Sequence, residues 1–120
     1  MSAPKAPDGL STRARRLWRD VLAEYELSAA ELEVLRSALV ALDRADQAAA
    51  VVDAEGVVVV DRYGSPKAHP ATDIEARNRT IFARLVAQLG VKVTPERVDS
   101  PQSVRARAAA NTRWKREQAR

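Results

Sequence analysis

The 120-residue chain offers few side chains that could take part in catalysis. It has one histidine, His69, and no cysteine, so neither a thiolate nucleophile nor a thiolate metal site can form. No glycine-rich phosphate loop and no His-x-x-x-His pair occurs in the sequence. The carboxylates are spread over stretches with helical periodicity, where pairing with arginine four residues away accounts for them without acid–base chemistry. We therefore expect a protein that is not an enzyme and that holds no cofactor and no metal.

Arginine gives this chain its most evident binding chemistry, because the guanidinium group binds phosphate. The formal net charge is +4, and the charge is unevenly distributed. Residues 1–20 carry five basic and two acidic side chains and residues 101–120 carry six and one, whereas residues 21–100 carry nine and thirteen. Cationic ends on an acidic body favour binding to nucleic acid, with solvated, disordered ends as the alternative. The candidate DNA-binding residues are Arg13, Arg15, Arg16, Arg19, Arg105, Arg107, Arg113, Lys115, Arg116 and Arg120.

The N-terminal arginines are expected on a first helix that follows a flexible leader, residues 1–10. Ser11 or Thr12 can cap this helix, and the arginines lie largely opposite its apolar side. Trp18 falls within that apolar side, so we interpret it as a core residue rather than a base-stacking one. The predicted apolar side is Leu17, Trp18, Val21, Leu22 and Tyr25.

A capping box formed by Ser28 and Glu31 predicts the start of a long helix that runs to about Ala54. Its apolar face is wide, with a leucine stripe beside a stripe of small residues. Small side chains let a second backbone come close, so we interpret the face as an assembly surface; packing inside a single helical hairpin is the alternative. The candidate oligomerisation residues are Val34, Leu35, Ala38, Leu39, Ala41, Leu42, Ala45, Ala48 and Val52.

The valines at 57–60 predict a strand, in a small β-hairpin or an extended loop that turns near Gly64. The run shows no alternation, so we expect both strand faces to be covered, with a neighbouring subunit as one candidate cover. Pro70 suits the first position of a second long helix, with His69 at or near its cap and Gly90 as its stop. The predicted apolar side of this helix is Ile74, Ile81, Phe82, Leu85, Val86 and Leu89.

The expected fold is mainly α. It is a long antiparallel helical hairpin with a short β-hairpin or extended segment between the helices, plus a basic C-terminal helix. The predicted domains are the leader, residues 1–10, a helical core and oligomerisation domain, residues 11–92, and a basic C-terminal segment, residues 93–120. Aromatic residues make up only 4%, so the core of a lone subunit is expected to be marginal and self-association to be needed. No apolar run approaches the roughly 20 residues that cross a bilayer, which predicts a soluble intracellular protein.

Residues 10–107 resemble the small subunit of phage terminases, in particular the P-twenty-seven family. The likeness follows an order: tryptophan in a first short helix, a long Leu/Ala helix, a Gly-Val-Val-Val strand, and a turn with Gly64. After these comes "HPA", with His69 and Pro70, at the head of a helix that ends in "LG" before Thr-Pro. The most specific piece is "SPKAHPATDIEARNRTIFARLVAQLGVKVTP", residues 65–95.

The resemblance implies a non-enzymatic part of a viral DNA-packaging motor in the host cytoplasm. Such subunits form homo-oligomeric rings, bind double-stranded viral DNA, and deliver it to a large subunit with ATPase and nuclease activity. Gly64, His69 and Pro70 would then fix the turn from strand to helix within each subunit of the ring.

Other interpretations of the sequence stay open. One is an oligomeric virion assembly or scaffolding protein with a basic interaction tail, and another is a small dimeric host DNA binder. Arg77 and Arg84 are expected either to line a channel or to bridge to acidic residues of an adjacent subunit. Trp114 contacts either DNA or the large subunit. A helix-turn-helix reader is not expected, because the helix after Ser28 begins with acidic residues.

Overall fold

A computed structural model describes residues 3–93 of the chain. This part is mainly helical, with three helices and one two-stranded antiparallel sheet. The elements are α1 (Thr12–Glu24), α2 (Ala29–Glu55), β1 (Val58–Val60), β2 (Pro66–Ala68) and α3 (Pro70–Leu89). The prediction of a mainly α fold is therefore confirmed, whereas the predicted basic C-terminal helix lies outside the described residues.

The helix ends follow from local side-chain chemistry. Ser11 caps α1, with its hydroxyl accepting from the amide of Ala14 at 3.0 Å. In α2 the predicted capping box is present, because the Ser28 hydroxyl accepts from the Glu31 amide and the Glu31 carboxylate accepts from the Ser28 amide. Gly90 closes α3 with φ of 72°, a left-handed conformation that glycine adopts at no steric cost. These boundaries agree with those predicted from the sequence.

The core forms around α2, which packs against α1 and along α3. Glu55 lies opposite His69 near one end of the α2–α3 contact, and Asp46 lies opposite Arg79 further along it. From α1, Trp18 is buried, as predicted. Its indole N–H donates to the carbonyl oxygen of Pro4 at 2.9 Å, which satisfies a donor that burial removes from water.

The predicted flexible leader contacts the helical core. Within residues 3–10 there is no helix or strand, yet Leu10 is buried in the main apolar cluster and Ala6 packs against it. Together with the bond to Trp18, these contacts make the described part of the leader a cover for α1.

The candidate oligomerisation residues on α2 are mostly buried within the single chain. Eight of the nine are buried, and only Val34 is partly exposed. The reason is that α2 touches both α1 and α3, so its wide apolar face is used twice inside one subunit. These eight residues therefore pack within the subunit, which is the alternative considered for them, and a role of this face in assembly stays a prediction. The eight buried residues are Leu35, Ala38, Leu39, Ala41, Leu42, Ala45, Ala48 and Val52.

Two apolar segments that were expected to be covered are exposed. In the hairpin, Val58 and Val60 are 56% and 67% exposed, because β1 and β2 pair with each other and, within residues 3–93, no helix packs extensively against them. On α3, Phe82 is buried, but Ile74 and Ile81 are 49% and 44% exposed. The isoleucines lie beside the buried stripe of α3 rather than within it. Over residues 3–93 no helix has the length and apolar character needed to cross a membrane.

Candidate nucleic-acid interface

The exposed face of α1 carries three arginines. Arg15 and Arg19 are four residues apart and Arg16 and Arg19 are three apart, so all three project from the same side of the helix. Each is exposed, while the opposite side of α1 is buried against α2 and the leader. Lys5 adds a fourth cation, because Lys5, Arg15 and Arg19 line one open cleft between the leader and α1, in which Asp8 is the one acidic residue. This face concentrates positive charge and can neutralise backbone phosphates.

The orientation of α1 is fixed by a buried carboxylate on α2. Asp43 is 9% exposed, and it accepts hydrogen bonds from the Ser11 amide at 2.8 Å and the Ser11 hydroxyl at 2.6 Å. The same hydroxyl accepts from Ala14, so one serine both caps α1 and joins it to α2. Asp43 is not among the site residues predicted from the sequence. Its only signal there is an acidic residue that directly follows Leu42 of the leucine stripe.

Arg13 does not belong to the exposed arginine face. Its guanidinium donates to Asp46 at 2.7 Å, and its Nε is buried without a hydrogen-bond partner. Asp46 also lies 3.4 Å from Arg79, which in turn pairs with Glu75 at 2.8 Å. Arg13 lies on the flank of α1 next to α2, and it joins an ionic network that links all three helices. A contact of Arg13 with phosphate stays a prediction.

The His-Pro-Ala segment joins three elements at one point. The His69 amide donates to the Val57 carbonyl oxygen at 2.8 Å, and its ring Nδ1 accepts from the Ala71 amide at 3.0 Å. Its Nε2 lies 3.5 Å from a carboxylate oxygen of Glu55 at the end of α2. His69 is thus the N-cap of α3 and Pro70 its first residue, as predicted. Because Nδ1 is used as the cap acceptor, the geometry gives the imidazole a structural role.

The turn of the hairpin is organised by Asp61. Its carboxylate accepts from the amides of Tyr63 at 2.8 Å and Ser65 at 2.9 Å, and Lys67 lies 3.4 Å away. The backbone hydrogen bond from Ser65, followed by that from Tyr63, lowers the pKa of the Asp61 carboxyl below its ordinary value of 3.8. Gly64 has φ of 80° in this turn. Gly64 is among the residues predicted from the sequence and Asp61 is not, although an aspartate at the start of a turn is typical of such bonding.

The remaining predicted site residues are not brought together here. Arg77 and Arg84 are exposed, and within residues 3–93 neither forms an ion pair. In the same part of the chain no group of three histidine, aspartate or glutamate residues is arranged to hold a metal ion. The C-terminal cations lie outside the described residues: Arg105, Arg107, Arg113, Lys115, Arg116 and Arg120.

Comparison of the chain with protein-family models, with curated proteins and with solved structures gives no match.

Proposed function

We propose that this protein is a non-enzymatic, DNA-binding small subunit of a viral packaging terminase. It assembles into a homo-oligomeric ring in the host cytoplasm, binds double-stranded viral DNA and delivers it to a large ATPase and nuclease subunit. The single observation that carries the DNA-binding part is the exposed face of α1 with Arg15, Arg16 and Arg19. The terminase part is supported by the sequence resemblance over residues 10–107.

The protein architecture in this proposal is an antiparallel helical hairpin of α2 and α3 with the β-hairpin between them. It is supported by the pairing of Glu55 with His69 and of Asp46 with Arg79, because these pairs advance in opposite directions along the two helices. Assembly would use exposed apolar residues rather than the buried face of α2. Ile74 and Ile81 are available for this, with Arg77 and Arg84 beside them as partners for acidic groups of an adjacent subunit.

Binding through phosphate contacts predicts a steep dependence on salt. For duplex DNA, the slope of log affinity against log salt changes by about 0.9 for each phosphate that is neutralised. The double variant Arg15→Ala/Arg19→Ala should therefore lower the slope by about 1.8, if each arginine neutralises one phosphate. Fluorescence anisotropy with a labelled duplex at four salt concentrations measures this directly.

A matched control removes the same charge from another helix. Arg36 and Arg44 are exposed on α2, so Arg36→Ala/Arg44→Ala lowers the net charge equally without replacing a residue of α1. It should leave the slope nearly unchanged. Equal slopes for the two double variants would mean that only total charge matters, which would refute an interface on α1. A chain truncated after residue 100 tests the basic tail, which should contribute its own reduction.

Light scattering of the purified protein tests the assembly part of the proposal. A mass of many copies supports a ring, whereas a mass that stays at two copies at every protein concentration means that no ring forms and favours the small DNA-binder alternative. An assembly of several copies that does not bind DNA even in dilute buffer would support the scaffolding alternative, in which the basic tail binds an acidic protein.

A further inference from the structure

The two ends of the β-hairpin define which backbone groups face outward. At one end the His69 amide donates to the Val57 carbonyl oxygen at 2.8 Å, and at the other the Asp61 amide donates to the Ser65 carbonyl oxygen at 2.9 Å. In an antiparallel pair, hydrogen-bonded and non-hydrogen-bonded residue pairs alternate along the strands. The bonds at residues 57 and 61 therefore place residue 59 in a hydrogen-bonded pair as well.

Val58 and Val60 consequently direct their N–H and C=O groups away from β2, toward the outer edge of β1. They occupy the two non-hydrogen-bonded pairs, opposite Ala68 and Pro66. Their side chains lie on the same face of the hairpin and are 56% and 67% exposed. The outer edge of β1 thus carries two donors and two acceptors beside two exposed β-branched side chains.

The two edges of the hairpin differ in protection. Proline and lysine are devices that keep a strand edge from pairing with another chain, and β2 has both, in Pro66 and Lys67. Pro66 has no N–H to offer at its outward-facing position. By contrast, β1 consists of valine alone. Of the two edges, only that of β1 offers outward N–H and C=O groups without a proline or a lysine to hinder pairing with another strand.

We propose that β1 is an interaction edge that pairs with β1 of a second copy of this chain. The two strands run antiparallel about a two-fold axis at Val59, so that Val58 of each copy lies opposite Val60 of the other. In each of these two facing pairs, both residues donate their N–H to the C=O of the other, so the two pairs together form four backbone hydrogen bonds. The product is a four-stranded sheet in the order β2-β1-β1-β2.

A second copy is the occupant because the edge is complementary to itself. In the symmetric register, every outward N–H of one strand meets an outward C=O of the other, and valine meets valine across the axis. No like charges come together: Lys67 lies 3.4 Å from the carboxylate of Asp61 in its own chain. A two-fold contact closes at two copies, so it differs from the head-to-tail contact of a ring and does not depend on the proposed function.

A proline substitution tests the hydrogen bonds of this edge. Val60→Pro removes an outward N–H, and by symmetry two of the four intermolecular bonds, while the bonds between β1 and β2 stay intact. The dimer should become roughly 30-fold weaker, as measured by sedimentation equilibrium. Ala68→Pro is the matched control, since it removes an outward N–H from β2 and should leave association unchanged. If both variants weaken association equally, the proposal is overturned. It is also overturned if the wild-type chain stays monomeric at about 100 µM.

Cysteine cross-linking tests the register independently of stability. The chain has no cysteine of its own, so a single introduced thiol reports only on its own position. Val59 meets its symmetry mate in a non-hydrogen-bonded pair with Cα atoms about 4.5 Å apart, within the range of disulfides. Val59→Cys should therefore oxidise rapidly to a covalent dimer, whereas Lys67→Cys, opposite it on β2, should not. If Val59→Cys cross-links no faster than Lys67→Cys, the proposed register is wrong. Neither sedimentation nor cross-linking involves DNA, so both tests are independent of the proposed function.

Discussion

Replacing Ser11 by alanine should destabilise this protein more than removal of an ordinary helix cap. The Ser11 hydroxyl accepts from the Ala14 amide at 3.0 Å and donates to Asp43 at 2.6 Å. Alanine removes both bonds. The buried carboxylate of Asp43 then keeps only the bond from the Ser11 amide, at 2.8 Å, of the two that Ser11 donates to it.

The magnitude follows from the two bonds. Loss of an N-cap side chain costs about 1 kcal/mol. A hydrogen bond to a charged group contributes about 1.5 kcal/mol at the low end of its range, which suits a serine at the surface. The sum is about 2.5 kcal/mol in the free energy of unfolding. For a domain of this size that corresponds to a Tm lower by about 10 °C.

Ser28 provides the matched control, because it caps α2 through the same kind of bond to Glu31 but faces no buried carboxylate. Urea denaturation of Ser11→Ala and Ser28→Ala should give losses of about 2.5 and about 1 kcal/mol. Ser11→Thr keeps the hydroxyl and should stay close to wild type. If the two alanine variants lose the same free energy of unfolding, the hydrogen bond between Ser11 and Asp43 contributes nothing to stability and the reasoning is refuted.

Two further predictions concern the segment between α2 and α3. His69→Ala should lower the free energy of unfolding by about 1 kcal/mol because the Ala71 amide loses its acceptor, whereas His69→Asn keeps a capping acceptor and should lose less; equal losses in urea denaturation would contradict the capping role. Because the pKa of Asp61 is lowered in the folded state, its ionised carboxylate stabilises the fold fully above the ordinary pKa of aspartate, 3.8, and this stabilisation is lost as pH falls through the folded-state pKa. The urea midpoint of wild type should therefore approach that of Asp61→Asn as pH falls through the folded-state pKa, while NMR titration of the Ser65 amide should report a pKa below 3.8. A difference between the two proteins that stays constant as the solution is acidified would contradict this.

Local signals in the sequence were sufficient to predict most helix boundaries. The capping box at Ser28, the proline after His69 and the glycine at 90 each act within a few residues, so they are readable without the fold. The same holds for Trp18, which lies within the periodic apolar side of α1 and is buried.

The partners of charged and apolar residues could not be predicted in the same way. Arg13 and Arg15 look alike in the sequence, yet Arg13 pairs with Asp46, which is 33 residues away, while Arg15 faces outward. The contact depends on how α1 crosses α2, and no local pattern encodes that crossing. The wide face of α2 was ambiguous for a similar reason: its periodicity is the same whether the second stripe packs on α3 of its own chain or on another chain.

The acidic residues of the chain body help to explain how the basic N-terminal helix is displayed. An isolated helix of 13 residues, the length of α1, is marginal in water, so Arg15, Arg16 and Arg19 form a single surface only while α1 is docked. Two aspartates of α2 contribute to that docking, Asp43 through Ser11 and Asp46 through Arg13. Each contacts the start of α1 or its inner flank, which leaves the other three arginines outward. The acidic body and the basic end, which looked like separate regions of charge in the sequence, are therefore parts of one arrangement. The buried carboxylate of Asp43 and the half-buried carboxylate of Asp46 hold the helix that presents guanidinium groups to solvent.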